Sequence, residues 1–105
     1  MQIQVNTDKN IDGNEGLVAQ VEASIRDALS LFSAHITRVE VHLSDENGAK
    51  NGQQDKRCMI EARMEGRQPT AVTCEAATLD KAIEGAADKM KTMLQSTLGQ
   101  LHARS

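Results

Sequence analysis

Nine consecutive residues, Arg57-Cys58-Met59-Ile60-Glu61-Ala62-Arg63-Met64-Glu65, constrain this chain more than any other stretch. Side chains of a strand point to opposite faces at every second residue. Here Cys58, Ile60, Ala62 and Met64 fall on one face, and Arg57, Met59, Glu61, Arg63 and Glu65 on the other. That pattern predicts a strand with one buried face and one open face. The buried face needs a cover, and the open face is left for a partner.

The rest of the chain supplies three further strands and two helical covers. Gln2-Ile3-Gln4-Val5-Asn6 alternates and predicts a short strand. Residues 8–13 are rich in Asp, Asn and Gly and form a turn, with Asp12 and Glu15 fitting a capping-box start. A helix is predicted over about residues 14–31, with Leu17, Val18, Val21, Ile25, Ala28, Leu29 and Phe32 as its apolar stripe. Residues 35–44 alternate again, with Val39, Val41 and Leu43 inward and Glu40, His42 and Ser44 outward. Residues 45–55 read as a polar connection carrying Asn47-Gly48 and Asn51-Gly52, both turn formers.

Beyond the opening stretch, residues 66–69 form a turn, and residues 70–76 a fourth strand with Val72, Cys74 and Ala76 on one side. Thr78 is a suitable N-cap for a final helix reaching about residue 100. Its stripe is Leu79, Ala82, Ile83, Ala86, Met90, Met93, Leu94, Thr97 and Leu101. Gly85 weakens that helix but sits beside Ala82 and Ala86, which predicts close packing on the sheet.

The resulting order is β-α-β-β-β-α, an α+β arrangement of one domain over residues 1–105. A helical crossover makes the first two strands parallel, while strands two, three and four form an antiparallel meander. Both helices then cover one face of a four-stranded mixed sheet, which accounts for strands that are apolar on one side only.

Composition removes several function classes. The only aromatic residue is Phe32, so stacking platforms for single-stranded bases are missing. No apolar run is long enough to cross a membrane, and the N-terminus lacks a signal-peptide pattern. Two cysteines in such a chain predict a reducing, cytoplasmic setting, with Cys58 and Cys74 as inward free thiols. The sequence has no Gly-rich phosphate loop, nucleophile elbow or metal-spaced Cys/His cluster. His42 beside Glu40 reads as a solvated pair. The expectation is a non-enzyme without cofactor or metal.

Charge is unevenly spread around a net of −3. Residues 1–49 hold three basic and eight acidic side chains, and residues 50–67 hold five basic and three acidic. Lys50, Lys56, Arg57, Arg63 and Arg67 make that local surplus, and Arg presents forked donors suited to phosphate. The plainer reading is that Asp55, Glu61 and Glu65 neutralise them as surface pairs.

The segment Leu79-Asp80-Lys81-Ala82-Ile83-Glu84-Gly85-Ala86-Ala87-Asp88-Lys89-Met90 resembles the last helix of the ribosome hibernation-promoting factor and ribosome-associated inhibitor family, where an Ala-Ile pair is followed by Asp-Lys-Leu. Val39-Glu40-Val41-His42-Leu43 is similar to that family's second strand. Element order and apolar spacing extend the resemblance over nearly the whole chain, at the length of the short form. It implies a fold like that of double-stranded-RNA-binding domains. It also implies binding to rRNA of the small ribosomal subunit and non-catalytic silencing of translation under stress or in stationary phase. On this resemblance Lys89 and Lys91 join the RNA-facing set. The helices here depart from the short members, which carry many Lys and Arg. The first helix has Arg26 against Glu15, Glu22 and Asp27, and after Lys91 only Arg104 is basic apart from His102. The second expectation is a divergent relative that binds a protein on its open sheet face, where Met59 lies.

Overall fold

The structure, a computed structural model, describes residues 1–9, 11–46 and 55–104, the last six as helix backbone only. In chain order it has β1 (Gln2–Thr7), α1 (Glu15–Ala28), a 3-10 turn (Ser30–Phe32), β2 (Ile36–Asp45), β3 (Lys56–Met64), β4 (Thr70–Ala76) and α2 (Leu79–Arg104). The sheet order is β1-β2-β3-β4. β1 and β2 are parallel, and the other two pairings are antiparallel. The predicted β-α-β-β-β-α order and mixed sheet are observed.

The alternation of β3 is realised residue by residue. Cys58, Ile60, Ala62 and Met64 are buried, whereas Arg57 and Arg63 are exposed. Val39, Val41 and Leu43 of β2 lie beside them, and Val21, Ile25, Leu29, Ala82, Ala86, Met90 and Leu94 close the core from the helices. Each fully buried aliphatic side chain stabilises the fold by about 1.5–3 kcal/mol relative to exposure.

Four details differ from the sequence reading. Asn14, not Asp12, is the N-cap of α1: its Oδ1 accepts from the Leu17 N–H at 2.8 Å, and its Nδ2 donates to Asp12 at 3.3 Å. α1 ends at Ala28, three residues short of the expected end. The tighter turn that follows holds Leu29 and Phe32 on the core side and turns Leu31 out to 76% exposure, because residues three apart eclipse in 3-10 geometry. In β2, Ile36 and Val39 are both inward although an odd number of steps separates them; a register shift between Ile36 and Arg38 absorbs the extra residue. The Thr37 hydroxyl donates to the Arg63 carbonyl at 3.1 Å beside that irregularity. Finally, Met93 is 45% exposed despite its place in the expected stripe. The core track of α2 runs from Met90 to Leu94, leaving Met93 near Val72 at the sheet edge.

The expected polar connection also begins and ends in the sheet. Asp45 pairs with Lys56, and the Glu46 N–H donates to the Asp55 carbonyl at 2.9 Å. The Asn47-Gly48 and Asn51-Gly52 turns lie outside the described residues. Asp45 and Asp55 are 7% and 5% exposed, and the Lys56 ammonium lies 3.1 Å and 3.4 Å from their carboxylates. Asp8 joins this end by accepting from the Asp45 N–H at 3.2 Å. The two carboxylates are buried while Lys56 is partly exposed, and removing Lys56 withdraws the nearest cation from both of them. Lys56→Met should therefore lower the thermal midpoint by about 5–10 °C in a calorimetric scan. Arg57→Met, one residue along on the exposed face, should move it by about 2 °C or less.

Cys58 and Cys74 are direct neighbours across β3 and β4. Both are free thiols; burial, with Cys74 adding to it, pushes the Cys58 thiol up to about 12. The unfolded chain releases this proton near its ordinary value of 9.0 while the native state keeps it, so stability falls as pH rises through that interval. Lys56 acts in the same direction at higher pH. Its folded value lies above 10.5, held there chiefly by Asp45, and its contribution is lost as pH rises through that folded value. Urea melts should show stability declining from about pH 9. Cys58→Ala should delay the onset of the decline until Lys56 titrates.

Candidate functional site

The uncovered face of the sheet is a grid whose rows follow from strand register. Gln2, Arg38 and Arg63 form one row, and Gln4, Glu40, Glu61 and Ala71 the next. Asn6, His42, Met59 and Thr73 form the third, and Ser44, Arg57 and Glu75 the fourth. Like charges thus face each other in two adjacent rows, which disfavours the bare pairs. Arg38 relieves part of this by donating to Glu40 at 2.9 Å and to the Gln4 side-chain oxygen. Arg38, Glu40, Glu61 and Arg63 together line a shallow depression. His42 Nε2 is 3.9 Å from Glu40 Oε2, with both side chains partly exposed.

The seven basic residues proposed from the sequence do not form one surface. Lys50 lies outside the described residues. Lys56 follows the inward parity of β3 and is held by Asp45 and Asp55, away from the open face. Arg57 is on the open face but sits 3.4 Å from Glu46 and opposite Glu75. Lys89 donates to the Thr73 carbonyl at 2.7 Å, so it covers a backbone acceptor of β4, an edge strand. Lys91 is a half-buried residue of α2.

Arg63 and Arg67 remain, four residues apart on either side of a turn. Arg63 is at the end of β3, and Arg67 closes the turn after it, its N–H donating to the Met64 carbonyl at 3.1 Å. Gly66 between them has φ +74°, a conformation that glycine adopts without a side-chain penalty. Neither arginine side chain has an ion-pair partner among the described residues. Arg38 belongs with them, because it is the cross-strand neighbour of Arg63. The sequence reading missed it: β2 parity alone puts it on the open face, but its place beside Arg63 depends on the register. Arg38 and Arg63 share one end of the open face and offer forked donors there, while Arg67, in the adjoining turn, lines hollows with Met64, Thr97 and Leu98. Arg57 is six residues away along β3, about 20 Å at the strand rise. Among the described residues no group of three His, Cys, Asp or Glu is placed to hold a metal ion.

Comparison with known proteins brings this geometry into a family. No curated protein sequence matches the chain. Solved structures share the fold, two of them as follows. A ribosomal subunit interface protein from Coxiella burnetii has a TM-score of 0.78 at 14% identity, covering 94% of this chain and 99% of that one. The N-terminal domain of Protein Y from Thermus thermophilus has a TM-score of 0.72 at 21% identity, covering 92% and 99%. The family profile described as Sigma 54 modulation protein / S30EA ribosomal protein matches residues 3–102. With nearly its whole length accounted for, the chain belongs to that family.

Proposed function

We propose that this chain is a non-catalytic ribosome-associated factor that docks on the small ribosomal subunit and restrains translation under stress or in stationary phase. The family match over residues 3–102 carries the reading. The names of its structural relatives, a ribosomal subunit interface protein and a Protein Y domain, support it. On this reading the protein works in the cytoplasm, and Arg38, Arg63 and Arg67 make the phosphate contacts. Phosphate contacts of this kind give affinity that falls steeply with salt. Arg57 and Lys91 contribute less, and Lys56 serves the fold.

Co-sedimentation of the purified chain with isolated ribosomal subunits, over a series of salt concentrations, tests the proposal. The expected result is recovery with the small subunit at low salt and release as salt rises. Recovery only at the top of the gradient at low salt would contradict it.

A family member that instead grips a protein with its open face is the second reading. Arg38, Arg57 and Arg63 of that face are matched by Glu40, Glu61 and Glu75, and Met59 lies near its centre. Such a complex would form without the subunit and keep its affinity when Arg63 and Arg67 are reversed.

A further inference from the structure

β4 is an edge strand, and strand parity says which of its backbone groups point outward. The Glu46 N–H bonds the Asp55 carbonyl one step beyond the paired residues Asp45 and Lys56. In an antiparallel ladder, bonded and non-bonded pairs alternate. Ser44–Arg57, His42–Met59 and Glu40–Glu61 are therefore the bonded pairs between β2 and β3. Lys56, Cys58, Ile60 and Ala62 then turn their N–H and C=O groups toward β4, where they meet Ala76, Cys74, Val72 and Thr70. The outward set of β4 is Ala71, Thr73 and Glu75.

Lys89 agrees with this assignment. Its ammonium donates to the carbonyl of Thr73, the middle residue of the three, at 2.7 Å. An apolar hollow lined by Val72, Asp88, Lys89, Thr92 and Met93 adjoins the edge from the helix side, and Met93 is 45% exposed. The edge is also symmetric about Thr73. A second β4 laid antiparallel, with Thr73 opposite Thr73, sets Ala71 opposite the partner's Glu75 and offers about six N–H···O=C bonds, two at each pair. Val72 then meets the partner's Cys74, and the two apolar hollows lie on the same side of the joined sheet. Glu75 is the one charged residue of β4, and it faces alanine rather than a second carboxylate. Lys89 alone opposes this pairing. It would lose the Thr73 carbonyl, and two ammonium groups would meet at the two-fold axis.

We infer that the β4 edge is a self-association surface for a second copy of this chain, pairing antiparallel about Thr73, and that Lys89 holds it closed. Symmetry and charge choose this occupant. The outward set maps onto itself under a two-fold axis, and no like charges face each other within the strands. Lysine at a sheet edge blocks edge-to-edge pairing, and here a single lysine guards the middle of the edge. The inference does not rest on the ribosome reading, because it uses none of Arg38, Arg63 and Arg67.

Sedimentation velocity on the full chain tests it by comparing wild type with Lys89→Gln, which removes the charge, and Lys89→Arg, which keeps it. Residue 89 is exposed, so all three should melt within about 3 °C of one another. Wild type and Lys89→Arg should sediment as monomers at concentrations where Lys89→Gln forms dimers, its dimer dissociation constant being lower by about tenfold or more. In that dimer the amides of Ala71, Thr73 and Glu75 should exchange with deuterium about tenfold more slowly than in wild type. Thr73→Pro removes the central outward N–H and is tolerated at an edge, so adding it should return Lys89→Gln to the monomer. A monomeric Lys89→Gln would overturn the inference, even if it captured an unrelated strand-forming peptide. So would equal dimerisation of Lys89→Arg and Lys89→Gln, or a dimer that leaves those three amides unprotected or survives Thr73→Pro.

Discussion

Reversing Arg63 and Arg67 together to glutamate is expected to weaken the complex with the small ribosomal subunit by about 100-fold near 100 mM salt, with two fewer phosphate contacts and added repulsion. The slope of log affinity against log salt should become shallower by about one unit for each arginine. The fold should survive, because both residues are exposed and the site of Arg63 faces Arg38 across the strands. A glutamate there would meet an opposite charge instead of a like one. Arg57→Glu is the internal comparison. That arginine is already engaged by Glu46 and faces Glu75, so its reversal should cost only several-fold and leave most of the salt slope. Equal losses at Arg57 and at the Arg63–Arg67 end would show that the whole sheet face acts as one diffuse surface.

Gly85→Ala should destabilise the protein although alanine is the better helix former. In an exposed helix the exchange is favourable by about 1 kcal/mol. Here a Cβ at position 85 would stand 2.3 Å from the Cys74 sulfur. Overpacking of a core contact costs about 1–3 kcal/mol, so the net expectation is a loss of about 1 kcal/mol in urea unfolding. Truncating the opposing side chain reverses the sign. With Cys74→Ala the sulfur is gone, and the remaining Cβ of residue 74 would be 3.4 Å from the new methyl group, an ordinary contact. In that background Gly85→Ala should stabilise by up to about 1 kcal/mol, giving a coupling of about 2 kcal/mol between the two positions. Additive effects would mean that α2 does not rest on β4 at this point.

How much of this was legible in the sequence depended on the range of the interaction. The strict alternation of β3 and the stripes of α1 and α2 place Cys58, Ile60, Val21, Ile25, Met90 and Leu94 without any tertiary knowledge, since periodicity is local. Gly85 between Ala82 and Ala86 signalled close packing, but its partner Cys74 emerges only from the way α2 crosses β4. Caps were less certain: Asp12 and Asn14 are both able to cap, and the choice falls to the residue whose side chain reaches Leu17. Charged residues were the hardest. Lys56 and Arg57 look equivalent in a list of basic residues, yet one step of strand parity sends the first to two buried aspartates and the second to the open face. Arg38 is distant in sequence from Arg63 and becomes its neighbour only through the β2–β3 register.

A cryo-electron microscopy map of the chain bound to the small ribosomal subunit tests the central proposal most directly, because it shows which face meets rRNA. The account predicts Arg38, Arg63 and Arg67 within hydrogen-bonding reach of phosphates, with Asp80, Glu84 and Asp88 turned away from them. A map with α1 and α2 lying against rRNA and the open sheet face in solvent would contradict it.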